Sequence, residues 1–68
     1  MTYRLGVDIG GTFTDFALVD EDTGTLSVHK KLTTPHDPSE SVLQGLAELL
    51  DRTGVPISDL AAVAHGTT

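Results

Sequence analysis

The chain has 68 residues, of which 38% are hydrophobic and 21% charged, a balance typical of a globular domain rather than of a disordered or membrane protein. It contains no cysteine, which excludes disulfides, thiol catalysis and thiolate metal sites. Because 10 acidic residues outnumber 4 basic ones, the net charge is -6, and nucleic acid and anionic membrane surfaces are not expected as partners.

The chain carries no signal for membrane insertion or export. No apolar run reaches the ~18 residues that a membrane span needs. The N-terminal residues alternate in polarity, whereas a signal peptide joins a basic stretch to an apolar one. We therefore predict a cytoplasmic protein without a targeting segment.

The first half of the chain predicts an antiparallel meander of three strands. Residues 3–9 alternate between apolar and polar side chains, the pattern of a strand with one face in a core. Residues 15–20 form a second apolar segment, and a third strand fits the segment from Leu26 to Leu32. Short polar turns join them, including the cluster that ends at Gly24.

The next segment changes to the period of an amphipathic helix. Its predicted apolar stripe consists of Val42, Leu46, Leu49, Leu50 and Thr53. Asp37 and Glu40 have the spacing of a capping box, and Pro38 suits the first helical position. Gly54 followed by Pro56 marks the predicted end of the helix.

An apolar run over residues 60–65 follows this helix and predicts a buried fourth strand, parallel to the first. The predicted fold is an α/β mixed sheet in the order β-β-β-α-β, with one helix on one face. Because sheets of this kind are usually covered on both faces, we expect the chain to be a fragment of a longer protein. We also expect it to self-associate through the uncovered face.

The segment between the first two strands is the one most informative about chemistry: it reads Asp8-Ile9-Gly10-Gly11-Thr12-Phe13-Thr14-Asp15. The two glycines allow positive φ and a close approach of the backbone, so that successive N–H groups can face an anion. The hydroxyls of Thr12 and Thr14 add donors. Asp8 is an oxygen ligand placed for a phosphate-bound Mg²⁺, and Asp15 offers a second carboxylate.

Several alternatives stay open at this point. The hairpin lacks the Walker lysine and leads into a strand, which excludes two other phosphate loops, but a plain Gly-Gly turn fits the spacing too. Phe13 is expected to anchor the hairpin, with a place over nucleotide as the alternative. His65 stands at the carboxyl end of the fourth strand, where α/β sheets collect ligands, or else it only shapes the turn that follows. His29 and His36 are expected to be ordinary surface histidines.

Residues 6–15 resemble the first phosphate motif of the actin, sugar kinase and heat-shock chaperone ATPase superfamily. More narrowly, residues 8–20, the stretch from Lys31 to Pro35 and the closing His65-Gly66-Thr67-Thr68 resemble the N-terminal region of the hydantoinase A and 5-oxoprolinase family. The resemblance spans nearly the whole chain. It implies a ribonuclease-H-like, actin-like ATPase core, with residues 1–68 as the N-terminal part of a hydantoinase/oxoprolinase-type ATPase domain.

The resemblance also implies roles for individual residues. In the superfamily the hairpin grips the β and γ phosphates of ATP, and the Asp that matches Asp8 organises Mg²⁺. Asp8 is therefore expected to be the catalytic and metal-binding residue. The residues expected at the ATP site are Gly10, Gly11, Thr12, Phe13, Thr14, Asp15, His65, Gly66, Thr67 and Thr68.

Members of the narrower family resemble ATP-dependent amidohydrolases, which phosphorylate the amide oxygen of a cyclic imide or lactam so that water can open the ring. The resemblance implies this activity, on N-methylhydantoin or 5-oxoproline, for a longer parent chain with a possible second subunit like hydantoinase B. Without the opposing lobe, the 68 residues alone are expected to be inactive. The alternatives are a sugar or small-metabolite kinase, a ketone carboxylase subunit and a non-catalytic interaction module.

Overall fold

The computed structural model describes residues 2–67, with the backbone alone for residues 62–67. The elements in chain order are β1 (Tyr3–Ile9), β2 (Phe13–Asp20), β3 (Leu26–Leu32), α1 (Pro38–Thr53), a 3₁₀ turn (Ile57–Asp59) and β4 (Leu60–Thr67). The predicted order β-β-β-α-β is confirmed. β2 begins at Phe13 rather than at Asp15, and β4 continues to Thr67 rather than ending at His65.

The four strands form one sheet in the order β3-β2-β1-β4. β1 pairs antiparallel with β2 and parallel with β4, and β3 pairs antiparallel with β2, as predicted. α1 lies on the crossover from β3 to β4, the kind of connection that a parallel pair requires. The carboxyl ends of β1 and β4 therefore lie side by side at the end of the sheet that carries the β1–β2 hairpin.

The hydrophobic core lies between one face of the sheet and α1. Alternation in β1 and β2 turns every second side chain to this face, where each fully buried aliphatic or aromatic group contributes about 1.5–3 kcal/mol. The buried apolar residues are Leu5, Val7, Phe16, Leu18, Leu49 and Val55. Among the described residues, no helix is long and apolar enough to cross a membrane.

The amino-terminal end of α1 differs from the predicted capping box. Asp37 occupies the N-cap position, but its carboxylate accepts a hydrogen bond from the Ser39 hydroxyl at 2.6 Å and caps no backbone N–H. The backbone N–H of Ser41 instead donates to the hydroxyl of Thr34 at 3.2 Å. The capping box of Asp37 and Glu40 is therefore wrong, because a threonine from the preceding loop takes the place of the capping carboxylate.

Two glycines determine how α1 ends and how closely it packs. Gly54 has φ 74, and its N–H donates to the carbonyl of Leu50 at 2.9 Å, which confirms it as the C-cap. Gly45 faces the sheet, and a Cβ at this position would lie 2.4 Å from ring carbons of Phe16. The absence of a side chain at Gly45 thus lets the helix rest directly on the phenyl ring.

β3 is tied to α1 by polar side chains. The Lys31 ammonium and the His29 ring nitrogen each lie 2.8 Å from a carboxylate oxygen of Glu48. The hydrogen bond from Lys31, followed by that from His29, lowers the pKa of the Glu48 carboxyl. The His29 ring also stacks at a tilt against Phe16, with 6.0 Å between centroids.

The sheet face opposite α1 carries exposed apolar side chains. These residues are between 42% and 64% exposed, and they are Phe13, Leu26, Val28 and Leu32. Ala17 and Val19 of β2 lie on the same face by strand alternation. The predicted uncovered face is therefore present, and self-association through it stays a prediction.

Candidate functional site

The β1–β2 connection is a three-residue loop of Gly10, Gly11 and Thr12. It is closed by the N–H of Gly10, which donates to the carbonyl of Phe13 at 2.9 Å. Neither hairpin glycine has positive φ, so the loop does not use the conformation that the glycine pair was expected to supply. A Cβ added at Gly11 would meet no described atom within 4 Å, which leaves open space beside the backbone.

The loop presents unpaired backbone donors. The N–H groups of Gly11 and Thr12 donate to no described atom, and both residues are exposed. A peptide N–H requires an acceptor, which here can be water or an anion. Two successive N–H groups of this kind can bind the oxygens of one phosphate group.

Two carboxylates stand next to this loop. Asp8 lies directly opposite Asp15 in the β1–β2 register, and such pairs place their Cβ atoms about 4.5–5.5 Å apart on one face. Asp15 contacts the Lys30 ammonium at 3.6 Å, whereas the Asp8 carboxylate is exposed and has no hydrogen bond or ion pair with any described residue. A divalent cation is the charge that would stabilise this pair, and Mg²⁺ is commonly held by one or two carboxylates plus water.

Each lysine and arginine side chain of the described residues already has a partner. The four basic side chains all have partners: Arg4 with Glu21, Lys30 with Asp15, Lys31 with Glu48, and Arg52 with the carbonyl of Val28. With a net charge of -6, the chain repels anions at long range. Within the described residues, the backbone N–H groups of the hairpin and a metal cation are therefore the groups best suited to bind a polyphosphate.

Phe13 and Thr14 face opposite sides of the sheet. The Phe13 ring is on the open face and 42% exposed, with the Lys30 ammonium 5.0 Å from its centroid, so it does not pack under the hairpin as the expected anchor would. Thr14 is fully buried, and its hydroxyl oxygen lies 3.0 Å from that of Thr33 and 3.4 Å from that of Ser41. This inward position differs from the contact with phosphate that was expected of the Thr14 hydroxyl.

The second motif lies beside the first. In the parallel β1–β4 pairing, Asp8 is opposite Gly66 and Ile9 is opposite Thr67, so the backbones of both motifs reach the same end of the sheet. The side chain of His65 and all of Thr68 lie outside the described residues. The roles expected of residues 65–68, like those of the hairpin residues, stay predictions.

Sequence reasoning gave no role to Thr33 and Ser41, which the structure brings under the hairpin. Thr33 belonged to the resembling stretch without an assigned function. Ser41, Gly45 and Leu49 follow one another at intervals of four, so they form the buried row of α1. Ser41 is the one hydroxyl residue in this row, and its presence among apolar and small residues is the signal in the sequence that could have indicated a buried polar contact.

The comparisons with known proteins agree with this arrangement. Residues 4–68 match the family model described as the hydantoinase/oxoprolinase N-terminal region. The chain is 44% identical over 70 residues to caprolactamase subunit alpha of Pseudomonas jessenii, an alignment covering 97% of this chain and 10% of that protein. It is 38% identical over 56 residues to the acetophenone carboxylase gamma subunit of Aromatoleum aromaticum, covering 82% of this chain and 7% of that protein.

The similarity extends to a solved structure, that of diol dehydratase-reactivating factor in nucleotide-free form. It matches with a TM-score of 0.67 and 27% identity, over 96% of this chain and 12% of that chain. The predicted ribonuclease-H-like, actin-like ATPase core is thereby confirmed. The chain spans about a tenth or less of the length of the two curated relatives. By the family match over residues 4–68, it belongs to the hydantoinase/oxoprolinase N-terminal region family.

Proposed function

We propose that this chain is the N-terminal part of a longer ATP-dependent amidohydrolase, here named the parent protein, which opens a cyclic imide or lactam such as N-methylhydantoin or 5-oxoproline. The family and the similarity to a caprolactamase subunit support this reaction class. The observation that carries the proposal is the hairpin, where the N–H groups of Gly11 and Thr12 lie next to the carboxylate of Asp8 and none of the three has a partner among the described residues.

The hairpin's proposed task is to bind the phosphates of ATP. Its N–H groups bind phosphate oxygens, and the open space at Gly11 admits the phosphate chain close to the backbone. Asp8, with Asp15 opposite it, fits a hard cation and would hold Mg²⁺ directly or through water. When bound, Mg²⁺ neutralises phosphate charge and favours phosphoryl transfer.

ATP serves to activate an amide that water alone attacks slowly. The γ-phosphoryl group moves to the amide oxygen, the bond from γ-phosphorus to the bridging oxygen breaks, and ADP leaves. Water then adds to the activated carbon, the ring C–N bond breaks as the nitrogen takes a proton, and an acyl phosphate remains. A second water attacks this acyl phosphate, which releases phosphate and leaves the carboxylate. Residues outside this chain must bind the amide and exclude bulk water.

Two further features belong to the proposal. Both curated relatives are named as subunits, caprolactamase subunit alpha and acetophenone carboxylase gamma subunit. We propose that the parent protein likewise acts with a second subunit, one like hydantoinase B, and that it works in the cytoplasm. The similarity to an acetophenone carboxylase subunit favours ATP-dependent activation of a ketone as the second candidate function.

ADP release by the parent protein tests the proposal. With Mg-ATP, we expect N-methylhydantoin, 5-oxoproline or another lactam to raise the rate at least on the order of tenfold over the rate without substrate, because amide activation consumes ATP. One ADP should appear for each ring opened. Acetone and acetophenone with bicarbonate test the ketone candidate, and sugars test for a kinase. If no compound produces ADP release when the second subunit is present, the amidohydrolase, ketone and kinase functions are excluded. The remaining function would be that of a non-catalytic interaction module.

A further inference from the structure

The loop between β3 and α1 holds the hairpin at two points. The backbone N–H of Thr33 donates to the carbonyl of Thr12 at 2.9 Å. The Thr33 hydroxyl donates to the carbonyl of Gly10 at 2.8 Å. One residue therefore fixes two of the three carbonyl groups in the glycine loop.

Fixing a carbonyl also fixes the N–H of the same peptide unit. In a trans peptide the C=O and the following N–H are coplanar and point in opposite directions. The Gly10 carbonyl shares its plane with the N–H of Gly11, so the hydrogen bond from Thr33 turns that N–H away from Thr33. Glycine loops are conformationally permissive, and without this contact the peptide plane would be free to rotate.

The orientation of the Thr33 hydroxyl is itself determined by its neighbours. The Ser41 hydroxyl donates to the carbonyl of Pro38 at 2.8 Å, and the Thr33 hydroxyl donates to Gly10, so both protons are already engaged. The Thr14 proton must therefore be donated to one of these two oxygens, and the Thr33 oxygen is closer, at 3.0 Å against 3.4 Å. All three side chains are buried or half-buried, where hydrogen bonds are stronger and replacement by water is costly.

We propose that Thr33 is a positioning residue that presents the Gly11 N–H to phosphate, and that Thr14 and Ser41 hold its hydroxyl in place from beneath. This inference rests on the proposed function, since it names how the hairpin is kept ready for ATP. It assigns Thr14 a supporting role under the loop. Thr33 touches neither phosphate nor metal in this scheme, and it acts through the peptide plane alone.

The test compares two variants of the parent protein. Thr33→Val keeps the size of the side chain and the backbone N–H but loses the hydroxyl, whereas Thr33→Ser keeps the hydroxyl. The control is Thr25→Val, which removes an exposed threonine hydroxyl at the opposite end of the sheet. Hydrogen exchange of the peptide covering residues 9–14 is followed without nucleotide, and the dissociation constant of Mg-ATP is measured separately.

We expect Thr33→Val to speed exchange at Gly10 and to weaken Mg-ATP binding, each by roughly three- to tenfold, the loss associated with one hydrogen bond. Thr33→Ser should restore both quantities, and Thr25→Val should change neither. Unchanged exchange in Thr33→Val would overturn the inference, and so would faster exchange with unaltered Mg-ATP affinity. If the wild-type parent binds no ATP, the proposed function fails while the exchange data still decide whether Thr33 holds the hairpin.

Discussion

Replacing Asp8 by Asn in the parent protein is expected to reduce Mg-dependent ATP turnover by on the order of 10²–10⁴-fold, because a metal clamp on transferring phosphoryl groups supplies several kcal/mol. The substitution preserves shape and removes only the negative charge. The Asp8 carboxylate is exposed and has no partner among the described residues, so a loss of turnover in this variant would not be explained by misfolding. Steady-state ADP release over a range of Mg²⁺ concentrations is the measurement.

A matched control for this variant is Asp51→Asn, which neutralises an exposed carboxylate on α1, away from the hairpin. It should leave turnover within about twofold of wild type, since charges separated by more than a Debye length are screened.

Asp15→Asn should have an effect smaller than Asp8→Asn, because the Asp15 carboxylate already contacts Lys30 at 3.6 Å. Wild-type turnover in Asp8→Asn would show that this carboxylate does not organise the metal.

The second large effect is expected on packing rather than on chemistry. Gly45→Val should destabilise the docking of α1 by about 1–3 kcal/mol, the usual cost of overpacking a core. Its Cβ would lie 2.4 Å from ring carbons of Phe16, a ring that is only 2% exposed and has little room to move. Native-state hydrogen exchange of α1 in the parent protein reports the free energy of this local opening.

Ala47→Val provides the control, because it introduces the same side chain on the exposed face of the same helix. It should cost well under about 1 kcal/mol, the difference in helix propensity alone. Combining Gly45→Val with Phe16→Leu should cost less than the sum of the single changes, since the smaller side chain relieves the clash. Equal protection of α1 in Gly45→Val and Ala47→Val would rule out the close contact with Phe16.

Much of the fold was predictable because its signals are local. β1 and β3 have the predicted bounds, since strict alternation over residues 3–9 and the turn at Gly24 limit where strands can begin and end. Gly54 ends the helix because glycine readily adopts the left-handed conformation of a C-cap, here with φ 74. The parallel pairing of β4 followed from the crossover rule for a helix between two strands.

What was missed depends on which of several similar side chains makes a contact. The helix cap comes from Thr34 rather than from Asp37, and nothing in the spacing distinguishes the two oxygens. The early start of β2 places Phe13 outside the core, because Thr14 takes the inward position next to Ser41. With β2 extended to Phe13, the alternation that turns Phe16 and Leu18 to the core also turns Thr14 inward and Phe13 outward.

The position of the candidate site in the sequence was predictable, but the residues that hold the hairpin in place were not. The residue types of the two glycines and of Asp8 indicate a phosphate and metal site in the sequence alone. The structure places these residues at one end of the sheet. Thr33 lies 23 residues from the Gly10 carbonyl that it holds. No periodic pattern connects a loop threonine to a hairpin at that distance, so only the three-dimensional structure reveals the contact.

The central claim is that the hairpin binds the phosphates of ATP through backbone N–H groups and a metal held at Asp8. Because Asp8 and Asp15 stand opposite each other beside the hairpin and the chain has a net charge of -6, we expect this binding to depend steeply on Mg²⁺. Calorimetric titration of the parent protein with ATP, ADP and AMP, with and without Mg²⁺, tests it most directly. We expect Mg²⁺-dependent binding of ATP and ADP and much weaker binding of AMP. Equal affinity for all three nucleotides, or binding unaffected by Mg²⁺, would contradict phosphate binding through the hairpin and a metal.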